Sequence, residues 1–151
     1  MTELIQIITA AIGSLCFGLL FNLKDKKLIA AVTLCGGLGW LVFLALDRVF
    51  EQDFPCYFFV ALLLSLTAEV LARTMKSPTT VFIAPALIPL VPGSSLYYTM
   101  ANALGGNAEL FAEKALNTLT YAAALAVGVI SATVLAKLFL RLCALRRKTH
   151  E

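Results

Sequence analysis

Five apolar runs separated by short charged linkers constrain this chain more than any other feature: Leu4 to Phe21, Leu28 to Leu46, Phe54 to Ala72, Val81 to Leu104, and Ala115 to about Leu140. At about 1.5 Å of helical rise per residue, each is long enough to cross a hydrocarbon layer of about 30 Å. A chain that is 60% hydrophobic and 14% charged, with a mean hydropathy of +0.89, has more apolar surface than a soluble domain can bury. The expected fold is all-α: a polytopic transmembrane helix bundle of five crossings. It forms a single domain over residues 1–151, with a basic C-terminal tail over residues 141–151. Met1, Thr2 and Glu3 precede the first run without the positive leader of a cleaved signal, so that run is expected to remain in the mature protein.

The linkers hold the charges, and their distribution sets the expected orientation. Five crossings put Lys24, Lys26, Lys27, Arg73, Lys76, Lys137, Arg141, Arg146, Arg147 and Lys148 on one side, against Arg48 and Lys114 on the other. Excess Lys and Arg stays in the cytoplasm. The N-terminus is therefore expected outside and the C-terminus inside, in a cytoplasmic membrane. If Val81 to Leu104 were instead a re-entrant hairpin, the split would be six against six and the bias would vanish.

Composition excludes several function classes. The net charge of +3 is accounted for by linkers and tail, and no nucleic-acid footprint is visible. Cys16, Cys35, Cys56 and Cys143 have no metal-ligand spacing and read as small hydrophobes. The single histidine, His150, lies in the tail, and neither HExxH nor a Cys/His cluster is present. An enzyme is not expected, and neither a cofactor nor a metal is implied.

The fourth run is the unusual one. VFIAPALIPLVPGSS carries Pro85, Pro89 and Pro92, followed at once by Gly93, Ser94 and Ser95. Each proline removes an amide donor and clashes with the carbonyl four residues back, so the crossing should break near Pro92 and Gly93. In hydrocarbon such a break is tolerated where protein buries it or a wet cavity adjoins it. A second half-helix starting near Ser94 or Ser95, either a good N-cap, would point unpaired amides and a positive dipole at a carboxylate. Tyr97, Tyr98 and Asn102 would add donors. The alternative is a kink that merely fits neighbouring helices.

Glu69 is the one carboxylate well inside an apolar run, and two readings stay open for it: a proton carrier, or a helical ion pair with Arg73 four residues on. Small residues recur every four positions, at Ala10, Ser14 and Gly18, at Cys35 and Gly39 beside Gly36 and Gly37, and at Ala124, Gly128, Ala132 and Ala136. These read as close helix packing. Trp40 and Phe54 read as interfacial anchors.

SerPro, a short apolar stretch, and then ProAlaLeuIleProLeuValProGlySerSerLeuTyrTyrThrMet resemble the small membrane subunit of the two-component threonine/serine exporter family. The specific part is Ile88 to Gly93; an AsnLeu loop after the first crossing and glycines at 36, 37 and 39 extend it. The resemblance implies an inner-membrane, proton-driven exporter of small amino or carboxylic acids such as threonine, serine or a dicarboxylate like succinate. It also implies a larger partner subunit, or an oligomer of this chain, in contact with membrane lipid. By that motif Pro89, Pro92 and Gly93 are the expected break, with Ser94, Ser95 and Tyr97 beside it. Two rivals remain: a non-transporting structural subunit, whose fourth crossing would line no cavity, and a passive oligomeric channel, which needs a polar stripe along its axis. Asn117, Thr118, Thr120 and Tyr121 cluster at one end of the fifth crossing instead.

Overall fold

The computed structural model describes residues 2–50 and 52–148, without the side chains of residues 140 and 142–148. The expectations for the side chains of Cys143, Arg146, Arg147 and Lys148, and for His150, fall outside what is described. The described residues form α1 (Thr2–Leu20), α2 (Lys26–Asp47), α3 (Asp53–Thr74), α4 (Thr80–Leu87), a 3-10 turn (Ile88–Leu90), α5 (Gly93–Leu104) and α6 (Ala108–Lys148). Four helices are long and apolar enough to cross a membrane, and the bent pair Thr80–Leu90 and Gly93–Leu104 is a fifth candidate if it forms one span.

The chain turns between crossings by tight C-caps. After α1, Asn22 takes a left-handed φ of 59° and the Leu23 amide donates to Gly18 O (3.2 Å), closing the helix end. Lys76 does the same after α3 at φ 52°, with Ser77 N–H on Ala72 O (2.9 Å). Gly106, at φ 72°, ends α5 with Asn107 N–H on Asn102 O (3.1 Å). Such caps satisfy carbonyls that a membrane edge would otherwise leave without partners. Asn107 then caps α6, its Oδ1 accepting from Leu110 N–H at 3.3 Å. The helix therefore starts at Ala108, before the fifth apolar run at Ala115, because Asn107 is a good N-cap residue. At about 1.5 Å per residue, the 41 residues of α6 outrun a hydrocarbon layer of about 30 Å.

Packing follows the small residues. The buried positions of α1 are Ala10, Ser14 and Gly18, and in α6 Ala124, Gly128 and Ala132 are buried. A Cβ added to Gly128 would lie 2.7 Å from Phe58 O and 2.8 Å from Ala61 Cβ, so α3 and α6 meet there backbone to backbone. A Cβ on Gly36 would overlap the Ser14 hydroxyl, and one on Gly39 would sit 2.7 Å from Leu64 Cδ1. The stripe is thus a set of close helix contacts.

Half of the fourth crossing sits inside this frame and half does not. α4 packs against α1, α2 and α3, with Phe82, Pro85 and Ala86 buried. Leu90 joins Cys35, Val60, Leu64 and Ala86 in the core. α5 lies chiefly along α6 and has no buried residue. Trp40 packs with this core and with Phe43 (5.4 Å between rings), which corrects its reading as an interfacial anchor. Its place, seven residues before the end of α2, is about 10 Å inside the helix terminus. Phe54, in the first turn of α3, is exposed.

Candidate functional site

Backbone chemistry builds the break residue by residue. Pro89 cannot donate to Pro85 O, and Pro92 cannot donate to Ile88 O. Ile88 O instead accepts from Val91 N–H at 3.1 Å, tightening the chain into the 3-10 turn. Val91 is extended, and Pro92 at φ −74°, ψ 61° is the centre of an inverse γ-turn in which Gly93 N–H reaches Val91 O at 2.7 Å. α5 then starts at Gly93, its axis bent 54° from that of the first half. A bend of this size keeps the chain advancing: the two halves together travel about 27 Å along the first axis, close to a hydrocarbon thickness.

The expected N-cap is corrected. Pro92, not Ser94 or Ser95, precedes the first residue of α5, because the γ-turn brings the chain into helical direction one residue before the serines. The amides at the helix start remain available all the same. Leu96 N–H bonds Pro92 O (3.1 Å), whereas the Ser94 and Ser95 amides have no carbonyl partner among the described residues. Beside them, a Cβ added to Gly93 would meet nothing within 4 Å. Donors, the positive end of the α5 dipole and open space thus coincide.

The remaining expected residues are distributed unevenly around this point. Ser94 is exposed and Ser95 half-buried. Tyr97 and Tyr98 are 68% and 57% exposed and meet edge to face at 5.5 Å, turned outward from this chain. Asn102 Nδ2 donates to Tyr98 O (2.8 Å), which occupies part of its donor capacity. Thr99 Oγ1, 3.3 Å from Thr118 Oγ1, ties α5 to α6. Pro89 faces the other way, toward α1, where it lines a cavity of about 340 Å³ with Ile88.

Glu69 stands apart from the break. Its carboxylate accepts from Arg73 at 3.2 Å, as an i,i+4 pair predicts. Both residues line a cleft of about 640 Å³ between α3 and the distal part of α6, walled by Leu66, Leu135, Leu138 and Phe139. None of the break residues borders that cleft.

Two features escaped sequence reasoning. One is an aromatic chain from Trp40 through Phe43 and Tyr57 to Tyr121, with successive ring centroids at 5.4, 5.0 and 4.8 Å. It ends where Tyr121 Oη donates to Asp53 Oδ2 (2.5 Å), a link across α3 and α6 between residues 68 apart. The other is a set of buried polar atoms without partners among the described residues: Ser14 Oγ, Ser65 Oγ and Trp40 Nε1. By contrast, Thr33, Thr67, Thr118, Thr120 and Thr133 each satisfy their hydroxyl on the carbonyl four residues back.

A helix bundle with one crossing interrupted by prolines, half of it held in the core and half leaving it, defines a polytopic membrane protein with a discontinuous helix, an arrangement typical of transporters. The family model described as Threonine/Serine exporter, ThrE, matches residues 6–135, and the chain belongs to that family. No curated protein and no solved structure matches it.

Proposed function

We propose that this chain is a subunit of a secondary exporter that moves small amino or carboxylic acids outward across the cytoplasmic membrane, with threonine, serine or a dicarboxylate such as succinate as cargo. One observation carries the reading: the Ser94 and Ser95 amides have no carbonyl partner among the described residues, beside a Gly93 whose surroundings are open. A half-helix start of this kind favours a carboxylate without needing a fixed cation. Pro89, Pro92, Gly93, Ser94, Ser95, Tyr97, Tyr98 and Asn102 are the proposed substrate-binding set. The outward-turned tyrosines are the part that a larger subunit or a second copy would cover. Glu69 is the proposed proton carrier; its cleft lies on the side expected to be cytoplasmic. A purely structural subunit is less well supported, since Ile88 and Pro89 of the fourth crossing line a cavity.

The test is solute movement. Vesicles carrying the chain, with and without co-expressed family partner, are loaded with labelled threonine, serine or succinate and given a pH gradient. Export is expected to follow the gradient in the parent and to lose that dependence in Glu69→Gln. Movement by neither preparation would exclude the exporter reading. For orientation, Cys56 is unsuitable as a probe because it is buried, whereas Val49 and Lys26 are exposed. In a cysteine-free background, Val49→Cys is expected to react with an impermeant thiol reagent from outside and Lys26→Cys from inside; the reverse pattern would invert the topology.

A further inference from the structure

α3 and α6 run parallel: Tyr121 meets Tyr57 and Asp53 near one end, Gly128 meets Phe58 and Ala61, and Leu135 to Phe139 face Leu66 to Arg73 at the other. Gly128 lets the main chains touch and Ala132 continues the close face, but beyond it come Leu135, Leu138 and Phe139. Side chains of that size keep the helices apart where small ones let them meet. The result is the cleft of about 640 Å³, within the roughly 300–1,000 Å³ of a ligand pocket, and its described walls come from α3 and α6 alone. From Leu66 to Arg73 it follows α3 for seven residues, about 10 Å of helix. One leaflet of a hydrocarbon layer of about 30 Å is about 15 Å deep, so the cleft reaches through most of it.

Its inner wall is apolar and its mouth is basic. Arg73 lines the mouth and donates one bond to Glu69 at 3.2 Å; its other guanidinium N–H groups have no partner among the described residues. Lys76 follows one turn later, in the left-handed residue that ends α3, and Arg141 stands two residues past Phe139 on α6. Lys76, Lys137 and Arg141 are exposed, and none enters the ion pairs found among the described residues. Four basic side chains therefore gather at this end of α3 and α6, with Glu69 as the carboxylate beside them.

We propose that this cleft binds one anionic phospholipid, an acyl chain lying along Leu66, Val70, Leu135, Leu138 and Phe139 and the phosphate resting on Arg73, with Lys76 and Arg141 beside it. Two observations select that occupant. The wall offers a polar solute almost no partners and would leave its groups unsatisfied, whereas an acyl chain loses nothing there. The mouth offers unpaired guanidinium donors, which match phosphate oxygens, among ammonium groups that favour net negative charge. A zwitterionic lipid carries its own cation and gains less from four basic side chains, so the site discriminates by headgroup charge. Glu69 sets its strength, because the carboxylate shares Arg73 with the incoming phosphate and repels it. Such a site stands whatever solute the chain moves.

The full chain in detergent is titrated with phosphatidylglycerol, phosphatidylcholine and glycerol 3-phosphate, and bound molecules are counted by native mass spectrometry. One phosphatidylglycerol is expected to bind at least about five-fold more tightly than phosphatidylcholine. Glycerol 3-phosphate, which has the phosphate without acyl chains, is expected not to bind at the same concentrations. Each basic residue beside an anionic lipid contributes about five-fold in affinity, so Lys76→Gln/Arg141→Gln should weaken phosphatidylglycerol about 25-fold and leave phosphatidylcholine unchanged. Val70→Trp fills the cleft from its wall and should weaken both lipids; Val70, Lys76 and Arg141 are exposed, so these changes spare the core. Glu69→Gln removes the competing carboxylate and should tighten phosphatidylglycerol. Equal affinity of the parent for the two lipids, or a Lys76→Gln/Arg141→Gln variant that binds like the parent, would overturn the site. So would binding of glycerol 3-phosphate as tight as that of the lipid, which would make it a phosphate site instead. Val70→Trp binding like the parent would also overturn it and leave the cleft to a helix of a partner chain. Glu69→Gln binding no tighter would remove Arg73 as the phosphate anchor.

Discussion

The triple variant Pro89→Ala/Pro92→Ala/Gly93→Ala is expected to resist heat at least as well as the parent and to export at least about ten-fold more slowly. Proline in a helix interior costs about 3 kcal/mol relative to alanine, and glycine about 1 kcal/mol, so replacing all three favours a continuous helix from Thr80 to Leu104. The γ-turn at Pro92 and the bond from Gly93 N–H to Val91 O would be lost, and the Ser94 and Ser95 amides would turn inward onto carbonyls one turn back. Each such amide, when it bonds a carboxylate, contributes about 1.5–3 kcal/mol, so its loss lowers export about ten- to hundred-fold. Straightening draws α5 off α6 and gives up the Thr99–Thr118 contact, a loss limited by the absence of any buried residue in α5. Melting followed by circular dichroism, alongside vesicle export, checks both halves of the expectation. A straightened variant that still exports at the parent rate would show that the break is a fitting kink and nothing more.

The second large effect lies far from the break. Gly128→Leu is expected to abolish the folded monomer, and Gly128→Ala to cost about 1–3 kcal/mol, the usual range for overpacking a tight contact. The reason is that the atoms opposite are Phe58 O and Leu62 N of the α3 main chain, which have no rotamer to change. Gly93→Ala is the matched control, since the space around it is open and α5 gains helix propensity; no loss of stability is expected there. Size-exclusion profiles and melting midpoints in one detergent compare the three. Equal stability of Gly128→Leu and parent would mean that α3 and α6 are not in backbone contact.

Much of this architecture was legible because its causes are local. A proline lacks its donor wherever it stands, so Pro89, Pro92 and Gly93 announced the interruption without any knowledge of neighbours. The spacing of Ala10, Ser14 and Gly18 likewise announced a packed face, because residues four apart share one side of a helix. The exact start of α5 was less legible. Serine caps are frequent, but the torsions of Pro92 decided the boundary one residue earlier. Trp40 was misread for a different reason: a lone tryptophan near a helix end resembles an interfacial anchor until Phe43 and the turn at Ile88 are seen against it.

The sequence alone determined the apolar helices, the place of the break and the faces that pack, since hydropathy, missing amides and helical period act along a single strand of chain. Tertiary structure decided what surrounds the break: that Pro89 meets α1, that Gln6, Thr9 and Trp40 share one cavity, and that Glu69 opens into another. Those groupings join residues from separate helices, and which side chains converge depends on how each helix is rotated and tilted against the next, information that no single run of residues contains.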